Sequence, residues 1–340
     1  MRCFSAPRTL FLRLFVLLFC VQPVCPQQPA CTKRKLPVYF RDAQNLPLQD
    51  VSITDLEAKL HGKPVQMLSL APDPRPRRLV LILDTSGSMG KIEGEPALWN
   101  LELSLALHFF ETNRQKARIA MLFFGDEVHD LIDFAQGNAA VGEKLRQVTE
   151  DRKYVKTQIK GRTALRDAIF QGIQLLDHPS SADAVYVLTD GGDNASHQSA
   201  SELDRRLAVT SVRLFAVFLY QKRSNRSRTP EELTGPGELA EITEKSGGEI
   251  LTAAQRYGNG VALSANAESK VNSEETLRRL YQTILEDSLL EVELPFAISK
   301  NEYWELKLSS AARRRWKNAK ITYPDTLVSC NAEVSGLGRN

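Results

Sequence analysis

Leu79-Val-Leu-Ile-Leu-Asp-Thr-Ser-Gly-Ser-Met89 is the stretch that decides the fold. Its first five residues form a continuous apolar run, the pattern of a central strand buried on both faces. Directly after it, Asp84, Ser86 and Ser88 place one carboxylate and two hydroxyls at alternate positions, and Gly87 permits a tight turn. A buried strand that runs out into clustered oxygen atoms marks the edge of an α/β sheet where ligands bind.

Outward from this stretch, strands alternate with helices. Leu98, Leu101, Leu105 and Phe109 make a helical stripe, and 164–177 is the cleanest helix of the chain. Residues 117–124, 127–134, 184–188 and 212–219 read as strands, and 200–208 and 238–245 as helices. A short edge strand over 249–252 and a helix over 273–287, opened by an Asn272/Glu275 capping box, complete the pattern. Such alternation predicts a doubly wound, mostly parallel sheet of Rossmann-like type over residues 78–287. Residues 31–74 and 288–330 are β-rich, and Ala71-Pro-Asp-Pro-Arg-Pro76 breaks the first segment from the α/β unit. The expectation is that both segments meet as one small β-sandwich into which the α/β domain is inserted, with 331–340 as a tail. Two separate β-appendages are the alternative.

The first 26 residues have the layout of a signal peptide. Arg2, Arg8 and Arg13 precede a short apolar stretch from Leu14 to Val24, which is cut by Pro23 and too short for a membrane span. The reading is an exported protein, secreted or periplasmic, with a retained N-terminal anchor as the alternative; lipoprotein processing at Cys20, Cys25 or Cys31 fits less well, because none has the Leu-x-small pattern before it. The formal charge of +3 comes from 44 basic and 41 acidic residues, so the three leader arginines account for all of it. A nucleic-acid partner driven by net basicity has no support. Cys31 and Cys330 remain near opposite ends after the leader, and an exported chain suggests a disulfide between them. Two unpaired thiols are the alternative.

Two further loops resemble the first in chemistry. Lys160-Gly-Arg-Thr163 precedes helix 164–177, and Thr189-Asp-Gly-Gly-Asp193 follows strand 184–188. Loops at the carboxyl edge of a doubly wound sheet converge, so Asp84, Ser86, Ser88, Thr163 and Asp190 are candidate metal ligands. Hard oxygen donors of this kind suit Mg²⁺ or Mn²⁺. Few protein charges against a dication leave it able to take a carboxylate from another molecule.

Asp-x-Ser-x-Ser at 84–88, the Thr of Gly-x-Thr at 163 and Thr-Asp-Gly at 189–191 resemble the metal-ion-dependent adhesion site of von Willebrand factor type A domains. The resemblance spans 78–287. It implies that Asp84, Ser86, Ser88 and Thr163 contact the ion or its waters, and that Asp190 acts directly or through water. It also implies a binding protein with no catalytic residues, whose partner is a protein presenting an Asp or Glu carboxylate. The β-flanks and proline junction are similar to the exported acidobacterial subfamily.

Rival functions fit less well. A haloacid-dehalogenase-type phosphatase needs a second Asp two residues after the first, to protonate its leaving group, and position 86 is Ser. Neither a P-loop nor a Gly-x-Ser-x-Gly elbow occurs. A structural or envelope-assembly factor, in which the metal only stabilises the loops, is the remaining alternative. Arg313-Arg-Arg-Trp-Lys317 reads as a charged, solvated turn between strands, with a site for an anionic lipid headgroup or polysaccharide as the alternative, and Gln221–Pro236 as a polar loop on the rim.

Overall fold

The computed structural model describes residues 31–43, 46–48, 50–90, 98–151, 153–220, 230–256, 260–264 and 273–329. The segment expected to be a signal peptide, the expected tail, Asn272 and Cys330 lie outside the described residues. Four strands come first: β1 (Lys33–Arg41), β2 (Leu56–Leu60), β3 (Lys63–Pro64) and β4 (Gln66–Pro72). Then follow β5 (Arg77–Asp84), α1 (Leu98–Asn113), β6 (Ala117–Phe124), β7 (Val128–Ile132), α2 (Gly137–Glu150), α3 (Tyr154–Thr157) and α4 (Leu165–Leu175). After these come β8 (Ala184–Thr189), α5 (Ala200–Thr210), β9 (Arg213–Tyr220), α6 (Pro230–Lys245), β10 (Ile250–Arg256), β11 (Gly260–Ser264) and α7 (Ser273–Leu285). The last described elements are β12 (Ser288–Glu293), β13 (Glu302–Leu308), α8 (Ser310–Arg315), β14 (Lys320–Thr322) and β15 (Thr326–Leu327).

The central sheet has seven strands in the order β11-β10-β9-β8-β5-β6-β7. Its inner strands, β10 through β6, run parallel, while β11 and β7 pair antiparallel at the two edges. Leu79, Leu81 and Leu83 of β5 enter one core with Trp99, Phe109 and Leu280. Val80 and Ile82 enter the other, with Ile169, Leu203 and Leu239. The apolar run shows no alternation because helices cover both faces and no side of the strand meets solvent. Helix α4 lies so close that a Cβ built at Gly172 would stand 2.9 Å from Ile82 Cδ1.

The flanking segments form two four-stranded antiparallel sheets, β14-β1-β12-β4 and β15-β13-β2-β3. Each sheet takes strands from both sides of the α/β unit. β1 lies along β12 from Lys33↔Glu293 to Val38↔Ser288, and β2 along β13 from Leu56↔Leu308 to Leu60↔Trp304. Val38, Leu60, Leu290, Val292, Trp304 and Leu306 share one core between the sheets. The chain is therefore an α/β unit set into a β-sandwich, not a domain with two appendages.

The two crossings between sandwich and α/β unit lie side by side. The Asp73 N–H donates to the Asp287 carbonyl at 3.2 Å. The buried Asp287 carboxylate pairs with Arg77, at the start of β5, and with Arg213, at the start of β9, the latter at 3.4 Å. Arg213 also donates to the Thr283 and Ile284 carbonyls at 2.9 and 3.0 Å, satisfying the exposed end of the α7 dipole. Arg77 reaches Asp73 at 3.6 Å, and Asp73 holds Arg75 at 2.5 Å.

Several local expectations are corrected. Helix α2 was not legible, because only Val141, Leu145 and Val148 of its fourteen residues are buried. Helix α6 begins at Pro230, inside the segment expected to be loop, and carries Pro236 within it. β10 is not an edge strand, since β11 pairs outside it. Residues 313–315 belong to helix α8 rather than a turn, capped by Ser309 Oγ accepting from the Ala312 N–H at 3.2 Å. Glu275 does pair with Arg279 at 2.9 Å, and with Arg278 at 2.7 Å.

Removing the carboxylate at the crossing leaves the buried Arg213 guanidinium without its counter-charge, and leaves Arg77 only Asp73 at 3.6 Å. Asp287→Ala is expected to destabilise the fold by about 3–5 kcal/mol, read as a lowered urea midpoint. An unchanged midpoint would show that the ion pairs at the crossing contribute little.

Candidate metal centre

Strand order places the ends of β5 and β8 beside each other, with Leu83 opposite Leu188. This is the point where the winding reverses: β6 lies on one side of β5, and β8, β9 and β10 follow on the other. Crevices outside such reversals are the usual ligand sites of open α/β sheets.

The first loop is tied to its neighbours atom by atom. The Thr85 N–H donates to the Phe124 carbonyl at 2.6 Å, and the Ser86 N–H to Asp84 Oδ1 at 2.8 Å. Residues 87–89 make one 3-10 turn, anchored by the buried Met89. The hydroxyls of Ser86 and Ser88 then lie 3.0 Å apart. The second loop meets the first through the Gly87 N–H to the Gly161 carbonyl, 3.2 Å, and the Lys160 N–H to the Thr85 carbonyl, 3.0 Å. Gly161 has φ +84°, a conformation that favours glycine.

The third loop closes the set. Thr189 Oγ1 donates to Asp84 Oδ2 at 2.6 Å and accepts from the Gly191 N–H at 3.1 Å. Thr163 is bound on both sides by Asn194: its N–H donates to Asn194 Oδ1 at 3.0 Å, and its carbonyl accepts from the Asn194 N–H at 2.9 Å. Asp193 Oδ2 accepts from the Arg166 N–H at 2.8 Å, which caps the start of α4. Helix α6 presses on this loop so closely that a Cβ at Gly235 would stand 1.8 Å from the Gly191 carbonyl oxygen.

Asp84, Ser86, Ser88, Thr163 and Asp190 are thus carried on three mutually bonded loops at one end of the sheet. Asp84, Ser86, Thr163 and Asp190 are buried and Ser88 is half-buried. Burial first, and the nearby Asp190 charge second, push the Asp84 carboxyl up to about 7, against hydrogen bonds from Ser86 and Thr189 that lower it. Among the described residues no three His, Cys, Asp or Glu side chains gather as a metal-binding group. The donors here are instead hydroxyls with two carboxylates. That set fits a hard dication, whose charge would offset the repulsion that raises Asp84.

Two residues at the site were not singled out from the sequence. Thr189 was read only as part of its loop, yet it orients the Asp84 carboxylate. Glu102, on α1, is fully buried, and its Oε1 accepts from the Asp84 N–H at 2.6 Å. Burial, and then the Asp84 charge, hold the Glu102 carboxyl well above its usual range. One signal could have revealed it: a glutamate four residues after Leu98, on the apolar face of α1.

Residues 79–192 match the family model described as von Willebrand factor type A domain, and this span holds all five candidate ligands. No curated protein matches the chain. Among solved structures, the chain is similar to the conserved hypothetical protein BatB from Bacteroides thetaiotaomicron, with 15% identity over 61% of this chain and 96% of that one, TM-score 0.40. It is also similar to a von Willebrand factor type A structure from Catenulispora acidiphila, with 12% identity over 83% of this chain and 75% of that one, TM-score 0.41.

Glu102 supplies the acceptor that fixes the backbone of Asp84. Glu102→Leu should unfold at lower urea than Glu102→Gln, by about 1–3 kcal/mol, because only the amide keeps an acceptor for the Asp84 N–H. Equal midpoints would deny Glu102 this role.

Proposed function

We propose that this is a non-enzymatic binding protein that captures a protein partner through a Mg²⁺ or Mn²⁺ ion held by Asp84, Ser86, Ser88, Thr163 and Asp190. The observation that carries the reading is the joining of the three loops: Thr189 to Asp84, Gly87 to Gly161 and Thr163 to Asn194. They bring five oxygen-bearing side chains to the reversal point of the sheet. Bound there, a dication with so few protein charges would accept an Asp or Glu carboxylate from the partner. The match of residues 79–192 to a von Willebrand factor type A domain supports an interaction role. Position 86, a serine, supports it against phosphoryl chemistry.

Export belongs to the same proposal and rests on the leader of residues 1–26. Among the described residues no helix is long and apolar enough to cross a bilayer. The Cys31–Cys330 disulfide is proposed with it. Arg34 supports this pairing, because its guanidinium donates to the Cys31 carbonyl at 2.8 Å and to the Val328 carbonyl at 3.2 Å. Positions 31 and 328 therefore share one side chain, two residues before Cys330. Peptide mapping without reductant should return a Cys31–Cys330 peptide, and free thiols at both positions would remove the pairing.

Calorimetric titration with Mg²⁺ and Mn²⁺ tests the site. The wild type should bind either ion and Asp84→Ala neither; a wild type that binds no ion, or a variant that binds equally well, would overturn the assignment. The proton competes with the ion. A carboxyl raised from 3.8 to about 7 keeps its proton in the folded state where the unfolded chain has lost it, so the metal-free fold loses stability as pH rises through that window. A bound dication reverses this, and the Mg²⁺-dependent rise in Tm should be larger above pH 7 than below it. Partner capture that survives a chelator would favour the structural role of the ion over the adhesive one.

A further inference from the structure

Helix α8 and the residues after it present a concentration of charge that the metal site does not use. Arg313, Arg314, Arg315, Lys317 and Lys320 are all exposed. Among the described residues none of the five forms an ion pair, whereas several cations elsewhere on the sandwich face carboxylates. Lys35 faces Glu291 at 4.0 Å and Lys307 faces Glu305 at 3.3 Å. In register, Lys59 stands opposite Glu305, and Glu57 opposite Lys307. Asp55 feels the charge of Arg315, but its Oδ2 is already taken by the Ser52 N–H at 3.0 Å and the Ser52 hydroxyl at 2.8 Å.

The patch is built rather than floppy. Ala312 is buried, Ser309 caps the helix, and the Trp316 N–H donates to the Ala312 carbonyl at 2.8 Å. Trp316 packs against the sandwich core, and the Arg315 guanidinium lies 4.3 Å above its ring. A stacked guanidinium keeps its N–H fork directed outward, in the geometry that grips a carboxylate or sulfate with two bonds.

We infer that this face of the sandwich binds a linear acidic polysaccharide, one carrying carboxylate or sulfate groups along a sugar backbone. Three observations select that partner from other polyanions. Consecutive arginines on a helix fan through about 200°, so a flat bilayer meets only part of the set while a flexible chain can follow it round. The patch has no exposed large apolar side chain to enter a membrane interface, since Trp316 is half-buried beneath Arg315. The same stacking covers the ring face on which an unpaired base would sit, removing the platform that single-stranded nucleic acid uses. The binding is electrostatic and independent of the metal.

The test uses the full chain in EDTA with immobilised heparin as the probe. The wild type is expected to be retained at low salt, with affinity falling as salt rises. The triple variant R313Q/R314Q/R315Q should bind roughly tenfold more weakly or worse, the equivalent of one lost charge-assisted hydrogen bond. A control with Lys35→Gln and Lys59→Gln, cations that already face carboxylates, should bind as the wild type does. Matching Tm values for all three proteins exclude a folding defect, and a triple variant with lowered Tm is replaced by R313Q/R314Q, whose arginines make no ring contact. Wild type that flows through, a triple variant that binds normally, or tighter binding to phosphatidylserine vesicles or single-stranded DNA than to heparin would each overturn the inference. Loss of binding in Asp84→Ala would also overturn it, whereas failure of the metal assignment leaves it untouched.

Discussion

A single buried carboxylate, Asp287, holds the inserted α/β unit to the sandwich at both of its crossings. It takes Arg77 from the start of β5 and Arg213 from the start of β9, while its own carbonyl receives the Asp73 N–H. Ion pairs this far from water gain little over a well-packed apolar contact, but removing one partner exposes the full desolvation cost of the others. What the cluster specifies is position. It lies where β5 begins, where α7 ends and where β12 starts to pair with β4. The eight residues of β5 then carry the chain from Arg77 to Asp84 without meeting solvent beyond its first turn of register.

At the other end of β5 the same economy of charge holds in reverse. Asp84 is buried beside a second carboxylate and receives only neutral donors, Thr189 and the Ser86 N–H. Glu102 is placed beneath it, accepting from its N–H rather than offering a cation. One end of the strand thus answers carboxylate with guanidinium, and the other gathers carboxylates around hydroxyls. The first arrangement is complete within the protein. The second has chemistry suited to a cation from outside it.

Much of this was legible in the sequence, for physical reasons that can be named. The run Leu79–Leu83 is apolar at every position because both faces are covered, the loops carrying Asp84 and Asp190 follow such buried strands, and the loop carrying Thr163 opens the most regular helix. The β-rich flanks were legible as strands, and their pairing followed from the two segments needing one shared core. Helix α2 escaped because it buries few side chains, and α6 because Gly235, Pro236 and Gly237 mimic a loop while serving a close approach to Gly191. Glu102 was hidden among leucines. The Asp287 cluster could not be read at all, because Arg77, Arg213 and Asp287 lie far apart in the chain and meet only through the tertiary fold.

The insertion has a mechanical consequence. Apart from what the proposed Cys31–Cys330 disulfide would carry, tension applied between Lys33 and Leu327 meets the hydrogen bonds of β1 with β12 and β14, and of β13 with β15 and β2, before it reaches the chain between Pro72 and Ser288. The α/β unit hangs outside that load path as a closed loop, with its two necks bonded to each other. A pull on Asp84 takes a different route, along β5, where parallel neighbours β6 and β8 resist it in shear. The molecule can therefore be stretched by its ends without its loops being drawn apart.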